Sequence, residues 1–257
     1  MKGSDDLSPV LAGIKEGLIS VLGENLVGIY VHGSIAFGCY TQGISDVDYV
    51  AVVKNPLSLS QKEKIIAQTL ELESLVLPKG IEMHVLGLED CKNFIHPCPF
   101  MLHYSSAYRR EAAQTLTEYC QRMNGTDPDL AAHLTVINSV GTCLYGPPVS
   151  EVFSPVPSDD YLDSILFDVA NAETEILSST VYVTLNLCRV MAYVRDGLIL
   201  SKRDGGKWGL TNLPAKYGGL IRSALESYAG RKGAPLSEAE KTEFARDLCQ
   251  SLFRAEK

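Results

Sequence analysis

The apolar positions in the first half of the chain predict helices and strands in alternation. Apolar residues at positions 10, 11, 14, 18, 19 and 22 have the spacing of an amphipathic helix that ends at Gly23. Three later runs are short, apolar and rich in β-branched residues, which is typical of buried strands. These runs are LVGIYVH (26–32), DVDYVAVV (46–53) and IEMHVLGL (81–88). We expect a short helical turn over 35–40 and a helix over 60–75 between the strands.

The third of these strands carries a prediction about the two faces of the sheet. Side chains alternate between the faces of a strand. Glu82 and His84 should therefore share one face, while Met83 and Val85 share the other.

The second half of the chain has a different pattern. The proline-rich passage YGPPVSEVFSPVPSDD (145–160) ends the mixed region and predicts a domain boundary. The residues beyond it have helical periodicity, with breaks at Gly197, Pro214 and 230–235. The predicted helices cover 159–176, 181–196, 204–213, 216–229 and 236–254. The pattern thus predicts two domains, residues 1–157 with helices and strands and residues 158–257 with helices alone.

Composition excludes several classes of protein. The formal net charge is -8 and no cluster of Lys and Arg is present, so we expect a small cationic substrate and no nucleic acid. Seven cysteines are scattered without a C-x-x-C pair, which disfavours a zinc site or a disulfide framework and favours the reducing cytoplasm. Met1–Pro9 lacks the apolar core of an export signal, and no run of about eighteen apolar residues occurs, so we expect no membrane span.

The most informative chemistry lies at the start of the second strand. Asp46 and Asp48 are two residues apart and should project to the same side. Two carboxylates about 4 Å apart repel by roughly 4 kcal/mol at an effective dielectric constant near 20, so a cation is expected between them. Carboxylate oxygens favour magnesium, which completes its shell with water and substrate phosphates. A solvated turn or a helix cap is the alternative for such an isolated pair.

Two further features point to the same substrate. The turn Gly33-Ser34 after the first strand offers backbone N–H groups and a hydroxyl that can bind phosphate oxygens. Glu82, on the third strand, could accept the proton of an attacking hydroxyl. The remaining histidines have no metal-ligand spacing and are expected on the surface or in packing; they are His84, His96, His103 and His133, with His32 buried on its strand.

Two segments resemble a known family. HGSIAFGCYTQGISDVDYVAV, within a match over 26–86, resembles the signature of the nucleotidyltransferase superfamily with the polymerase-β-like palm. LNLCRVMAYVRDGLILSKRDGGKWGLTNLPAKYGGLIRSALESYAG (185–230) resembles the C-terminal helical domain of the aminoglycoside adenylyltransferases that act on streptomycin and spectinomycin. The resemblance implies an α+β fold, with a polymerase-β-like nucleotidyltransferase domain (mixed sheet with helices) followed by an all-α helical-bundle domain that clamps substrate and nucleotide.

The resemblance also implies an enzyme and its site. It would be a cytoplasmic, monomeric nucleotidyltransferase that moves AMP from ATP to a hydroxyl of an aminoglycoside or aminocyclitol antibiotic, using two Mg²⁺ ions, in a cleft between the domains. The implied roles are magnesium ligands (Asp46 and Asp48), catalytic base (Glu82), phosphate contacts of the turn (Gly33 and Ser34), ATP contacts from the helical domain (Arg189 and Lys202) and a matching tyrosine (Tyr228). Trp208 matches as well, and we expect it to serve core packing.

The antibiotic-binding positions depart from the family. Ser178 and Ser179 occupy the place of acidic residues that help to bind the drug, and the aromatic residue of the first domain that holds streptomycin has only Tyr104 or Tyr108 as a counterpart. The resemblance therefore implies the class of drug and leaves the choice of the particular drug open. The alternative reading of the chain is a regulatory or antitoxin-like module that has kept the fold without antibiotic-modifying activity.

Overall fold

A computed structural model of the chain describes residues 7–254, and the residues before and after this range lie outside the description. Most of the segment Met1–Pro9, in which no export signal is expected, lies outside the described residues. The chain groups into two compact units that divide between Pro157 and Ser158. Among residues 7–254, no helix combines the length and the apolar character that a membrane span requires.

The first unit is built on a mixed five-stranded sheet and a separate two-stranded pair. The seven strands are β1 (Leu26–Val31), β2 (Val47–Val53), β3 (Ile81–Gly87), β4 (Cys98–Phe100), β5 (Leu102–Tyr104), β6 (Gly125–Asp127) and β7 (Thr142–Tyr145). The order in the large sheet is β5-β3-β2-β1-β7, and β4 pairs with β6. Strands β2 and β3 run parallel, and the other neighbours in the large sheet are antiparallel.

Among the described residues, eight α-helices accompany these strands. They are α1 (Ser8–Leu22), α2 (Gly33–Ala36), α3 (Leu59–Glu73), α4 (Leu88–Lys92), α5 (Arg109–Gln114), α6 (Leu116–Arg122), α7 (Leu130–Val140) and α8 (Val149–Val152). Helix α3 begins at a capping box, because the Ser58 hydroxyl accepts the Gln61 N–H and the Gln61 side chain accepts the Ser58 N–H. The parallel pair β2 and β3 requires a crossover, and α3 supplies it.

Apolar side chains cover both faces of the large sheet. One face packs Met83 and Val85 into the larger core, against helices that include α1 and α3. The opposite face packs Val50, Val52 and Leu86 against residues of α7 and α8. The alternation predicted for β3 is therefore present, and Glu82 and His84 belong to the second face. The carboxylates and histidines described below lie on this face.

The second unit is helical throughout its described residues. Its helices are α9 (Ser158–Asp168), α10 (Ala172–Glu175), α11 (Thr180–Asp196), α12 (Lys202–Asn212), α13 (Gly218–Tyr228) and α14 (Glu238–Arg254). The expectation of one continuous helix over 159–176 was wrong. The chain turns at Val169–Asn171, where the Ala172 N–H donates to the Val169 carbonyl, and the next short helix begins at Ala172 with Asn171 as its N-cap residue. The mixed α+β class is confirmed.

Candidate active site

The turn after β1 brings the chain into direct contact with the start of β2. Gly33 has φ +58°, a left-handed conformation that side chains other than glycine's rarely adopt, and a Cβ atom there would collide with the Asp48 carboxylate. The backbone N–H of His32 donates a hydrogen bond of 3.0 Å to the Asp48 carbonyl. Glycine at position 33 is thus needed for both the backbone conformation and the close approach of Asp48.

Three carboxylates converge beside this turn. Asp48 and Glu82 are register partners on the parallel strands β2 and β3, and Asp46 immediately precedes β2. One carboxylate oxygen from each of the three lies within 4.8 Å of the others. Asp48 is only 8% exposed, and the other two are half-buried. At an effective dielectric constant of 20, each charged pair at this distance repels by about 3 kcal/mol, so the arrangement could hold a divalent cation.

Ser34 stands at the start of α2, next to the carboxylates. Its Oγ atom is buried and has no hydrogen-bond partner among the residues that the structure describes. The first N–H groups of a helix also lack partners within the helix. A hydroxyl and backbone donors of this kind suit the oxygen atoms of a phosphate group that approaches beside Gly33.

Four histidines assemble on the same face of the sheet in a cluster that the sequence pattern did not predict. The rings of His84 and His103 stack at 4.1 Å between centroids, and His133 lies 4.8 Å from His32 and 5.5 Å from His84. Strands β3 and β5 supply the stacked pair, because His84 and His103 are register partners. The expectation of packing histidines is right for these four, but they pack against one another.

The pKa values of these rings differ with their neighbours. Burial lowers the pKa of His84 in spite of its 3.3 Å contact with Asp127, and burial lowers that of His103 to about 4. Burial alone would also lower the pKa of His133, but the carboxylates of Asp129, Glu82 and Asp48 outweigh it and raise the value to about 10. His133 is therefore a cation at neutral pH, where it pairs with Asp129 at 3.2 Å and also offsets part of the negative charge of Asp48 and Glu82.

The helical unit contains the predicted basic residues. Arg189 lies on α11, and its guanidinium donates to the Asn186 side-chain oxygen at 3.2 Å. Lys202 is the first residue of α12, with its ammonium 4.7 Å from the centre of the Tyr182 ring. Tyr228, the last residue of α13, is half-buried.

The structure corrects the aromatic assignments made from the sequence. Tyr104 is fully buried and donates a 2.6 Å hydrogen bond to Glu73, so it serves the core and is not available to hold a drug. Tyr108, the other candidate, is 36% exposed. Trp208 is half-buried, with its indole N–H bonded to Asp196 at 2.7 Å, and does not lie in the interior as expected.

Residues 151–251 match the family described as aminoglycoside adenylyltransferase, C-terminal domain. The aminoglycoside (3'') (9) adenylyltransferase of Klebsiella pneumoniae is 25% identical over 249 residues, which cover 94% of this chain and 91% of that protein. The predicted resemblance is confirmed. The spectinomycin 9-adenylyltransferase of Campylobacter jejuni is 23% identical over 245 residues, covering 92% of this chain and 93% of that protein. The enzyme class implied by the resemblance, a nucleotidyltransferase, is confirmed by these relatives.

The fold has a solved counterpart. The crystal structure of the spectinomycin adenyltransferase AAD(9) from Enterococcus faecialis, determined with ATP and spectinomycin, matches with a TM-score of 0.79 and 21% identity. The match covers 95% of this chain and 98% of that one. At this identity the likeness establishes the fold, and the roles of individual residues here stay predictions.

Proposed function

We propose that this chain transfers AMP from ATP to a hydroxyl of an aminoglycoside or aminocyclitol antibiotic of the spectinomycin or streptomycin class, with magnesium, and so confers resistance. The convergence of Asp46, Asp48 and Glu82 beside the Gly33–Ser34 turn supports this most strongly. The named activities of the relatives support the choice of substrate class. The net charge of -8 suits a cationic drug.

The donor set fits magnesium. All three converging groups are carboxylates, which are hard oxygen donors, and they lie close enough together to repel unless a cation joins them. Bound magnesium would supply positive charge that stabilises the transferring phosphate and the departing pyrophosphate. We assign Asp46 and Asp48 as the ligands, and two ions are the expected number.

Other side chains of the protein would bind the nucleotide and activate the antibiotic hydroxyl. Ser34 Oγ and the backbone at Gly33 bind phosphate oxygens, which gives the buried hydroxyl the partner that it lacks among residues 7–254. Glu82 accepts the proton of the antibiotic hydroxyl as that oxygen attacks the α-phosphorus of ATP. Arg189, Lys202 and Tyr228 contact the nucleotide, with the two cations neutralising triphosphate charge.

Pyrophosphate release across a panel of aminoglycosides and aminocyclitols tests this proposal. We expect release only when ATP, magnesium and a suitable drug are all present, with transfer of the AMP group to the drug visible by mass spectrometry. Glu82→Gln should lower turnover by at least about a hundredfold, because the amide cannot accept the proton, while ATP binding is kept. Normal turnover by Glu82→Gln would remove the assignment of the base.

The same experiment addresses a regulatory or antitoxin-like module. Such a module, in which nucleotide binding is vestigial, would show no magnesium-dependent rise in melting temperature with ATP and would release no pyrophosphate with any drug of the panel. That outcome would overturn the proposed function.

A further inference from the structure

We infer that Asp168 is a positioning residue that orients both Arg189 and Lys202 for the triphosphate. This inference rests on the proposed function, since it assumes that these two cations contact ATP. Asp168 is the last residue of α9, and nothing in the sequence resemblance singled it out.

One face of α11 presents the three side chains through which Asp168 acts. Tyr182, Asn186 and Arg189 are spaced i, i+4 and i+7, so they form a single row along the helix. The Tyr182 hydroxyl donates to one Asp168 oxygen at 2.6 Å, and the Asn186 amide donates to the other at 2.7 Å. Both oxygens of one carboxylate thus hold neighbouring members of the row.

The bond from Asn186 fixes the direction of Arg189. Asn186 is only 2% exposed, and its amide group can point in either of two ways. With its NH₂ group directed at Asp168, its oxygen must face the other way, where it accepts the Arg189 guanidinium at 3.2 Å. Charge on Asp168 favours this orientation over the flipped one, because a flipped amide would set an oxygen against a carboxylate.

The bond from Tyr182 acts on Lys202 in a similar way. The Lys202 ammonium sits over the Tyr182 ring at 4.7 Å from the centroid, a cation–π contact. Tyr182 is 42% exposed, so packing covers only part of its ring. The hydrogen bond to Asp168 holds the ring in the position where it supports the ammonium.

The backbone on which the two cations stand is also closely fixed. Helix α12, which begins at Lys202, contacts α11 through Gly205, where a Cβ atom would lie 2.6 Å from Cγ of Arg189. This close approach sets the stem of Arg189 relative to the start of α12. Asp168 then determines where the ends of the two side chains point.

The position of Asp168 is unfavourable for helix stability. A carboxylate at the C-terminal end of a helix faces the negative end of the helix dipole. Asp168→Asn should therefore fold normally, which makes it a usable variant. The test measures magnesium-dependent ATP binding by titration calorimetry and the KM values for ATP and for the drug.

We expect Asp168→Asn to weaken ATP binding and to raise the KM for ATP by about three- to tenfold, in line with typical coupling between side chains in one network. The KM for the drug and kcat should stay within about twofold, because no reacting atom is touched. Asp159→Asn is the matched control, since it removes the same charge from an exposed position of the same helix. It should behave as the wild type does.

A double-mutant cycle separates positioning from a general effect of charge. Asp168→Asn should have a smaller effect on ATP binding in an Arg189→Ala background, where only its action on Lys202 remains, and Tyr182→Phe should have little further effect in a Lys202→Ala background. Fully additive effects, or a rise in the KM for the drug instead of the KM for ATP, would overturn the inference while leaving the proposed function intact. A wild-type protein that does not bind ATP at all would overturn both.

Discussion

Replacing Asp46 by asparagine should stabilise the metal-free protein, because this carboxylate is held close to two others. Oxygen atoms of Asp46, Asp48 and Glu82 lie within 4.8 Å of one another. Asparagine keeps the shape of the side chain and removes the charge. No hydrogen bond or ion pair to the Asp46 side chain occurs among the described residues, so the substitution breaks no favourable contact there.

The size of the gain follows from the competing charges. Each pair costs about 3 kcal/mol at an effective dielectric constant of 20, and Asp46 takes part in two pairs. Solvent at the half-buried Asp46 reduces this repulsion. We expect a net gain of about 1–2 kcal/mol, similar to other gains from relieving strain at an active site. For a domain of this size it corresponds to a rise of about 3–6 °C in melting temperature.

Scanning calorimetry with a chelator and no nucleotide measures this gain. Fluorescence of Trp208 would report on the helical unit, whereas heat absorption includes the unit that contains the carboxylates. With magnesium and ATP added, the wild type should melt at a higher temperature than Asp46→Asn. A ligand at 100 times its Kd stabilises the wild type by about 2.7 kcal/mol, and the variant binds it less well. Glu16→Gln, which removes an exposed charge from α1, is the control. If Asp46→Asn melts below the wild type in chelator, the carboxylates do not repel as calculated.

Three further substitutions test other parts of the first unit. Gly33→Ala should lower stability by about 1–2 kcal/mol, because alanine is strained in the left-handed backbone conformation at this position. It should also displace Asp48 and so abolish the magnesium-dependent rise in melting temperature with ATP. Wild-type stability in urea unfolding would contradict the first expectation. Tyr104→Phe should cost about 1–3 kcal/mol in the same assay, because the buried Glu73 carboxylate loses a donor, and unchanged stability would refute it. Burial lowers the pKa of His103 from 6.5 to about 4, so between these pH values the unfolded chain binds more protons than the folded chain and stability falls as the pH drops. His103→Gln should therefore reduce the loss of melting temperature between pH 7 and pH 4. An equal loss in the variant and the wild type would contradict this prediction.

The sequence predicted the centre of the sheet but not its edges. Strands β1, β2 and β3 are long and buried, so their apolar runs are unmistakable. Strand β7 is four residues long, and Thr142 and Cys143 on it are exposed, as suits an edge. Strand β5 has three residues with a histidine in the middle. Runs this short have no periodicity that could be recognised.

The histidine cluster was beyond sequence reasoning for a different reason. Its four members come from the end of β1, from β3, from β5 and from α7, far apart in the chain. Only strand pairing brings His84 and His103 together, and only the packing of α7 on the sheet brings His133 to them. The carboxylates could be predicted because two of them share one short segment and the third lies on the adjacent strand.

The carboxylates and the histidine cation together bear on whether the site is a working one. A protein that used this fold only as a scaffold would be more stable without the charges of Asp46, Asp48 and Glu82, because their mutual repulsion opposes folding. His133, with its raised pKa, offsets part of the charge of Asp48 and Glu82, but it is a single positive charge that is already paired with Asp129. An excess of negative charge therefore remains beside the Gly33–Ser34 turn. Divalent cations that also bind the phosphates of a nucleotide would balance it. Such a balance has a use in catalysis and none in a purely structural module.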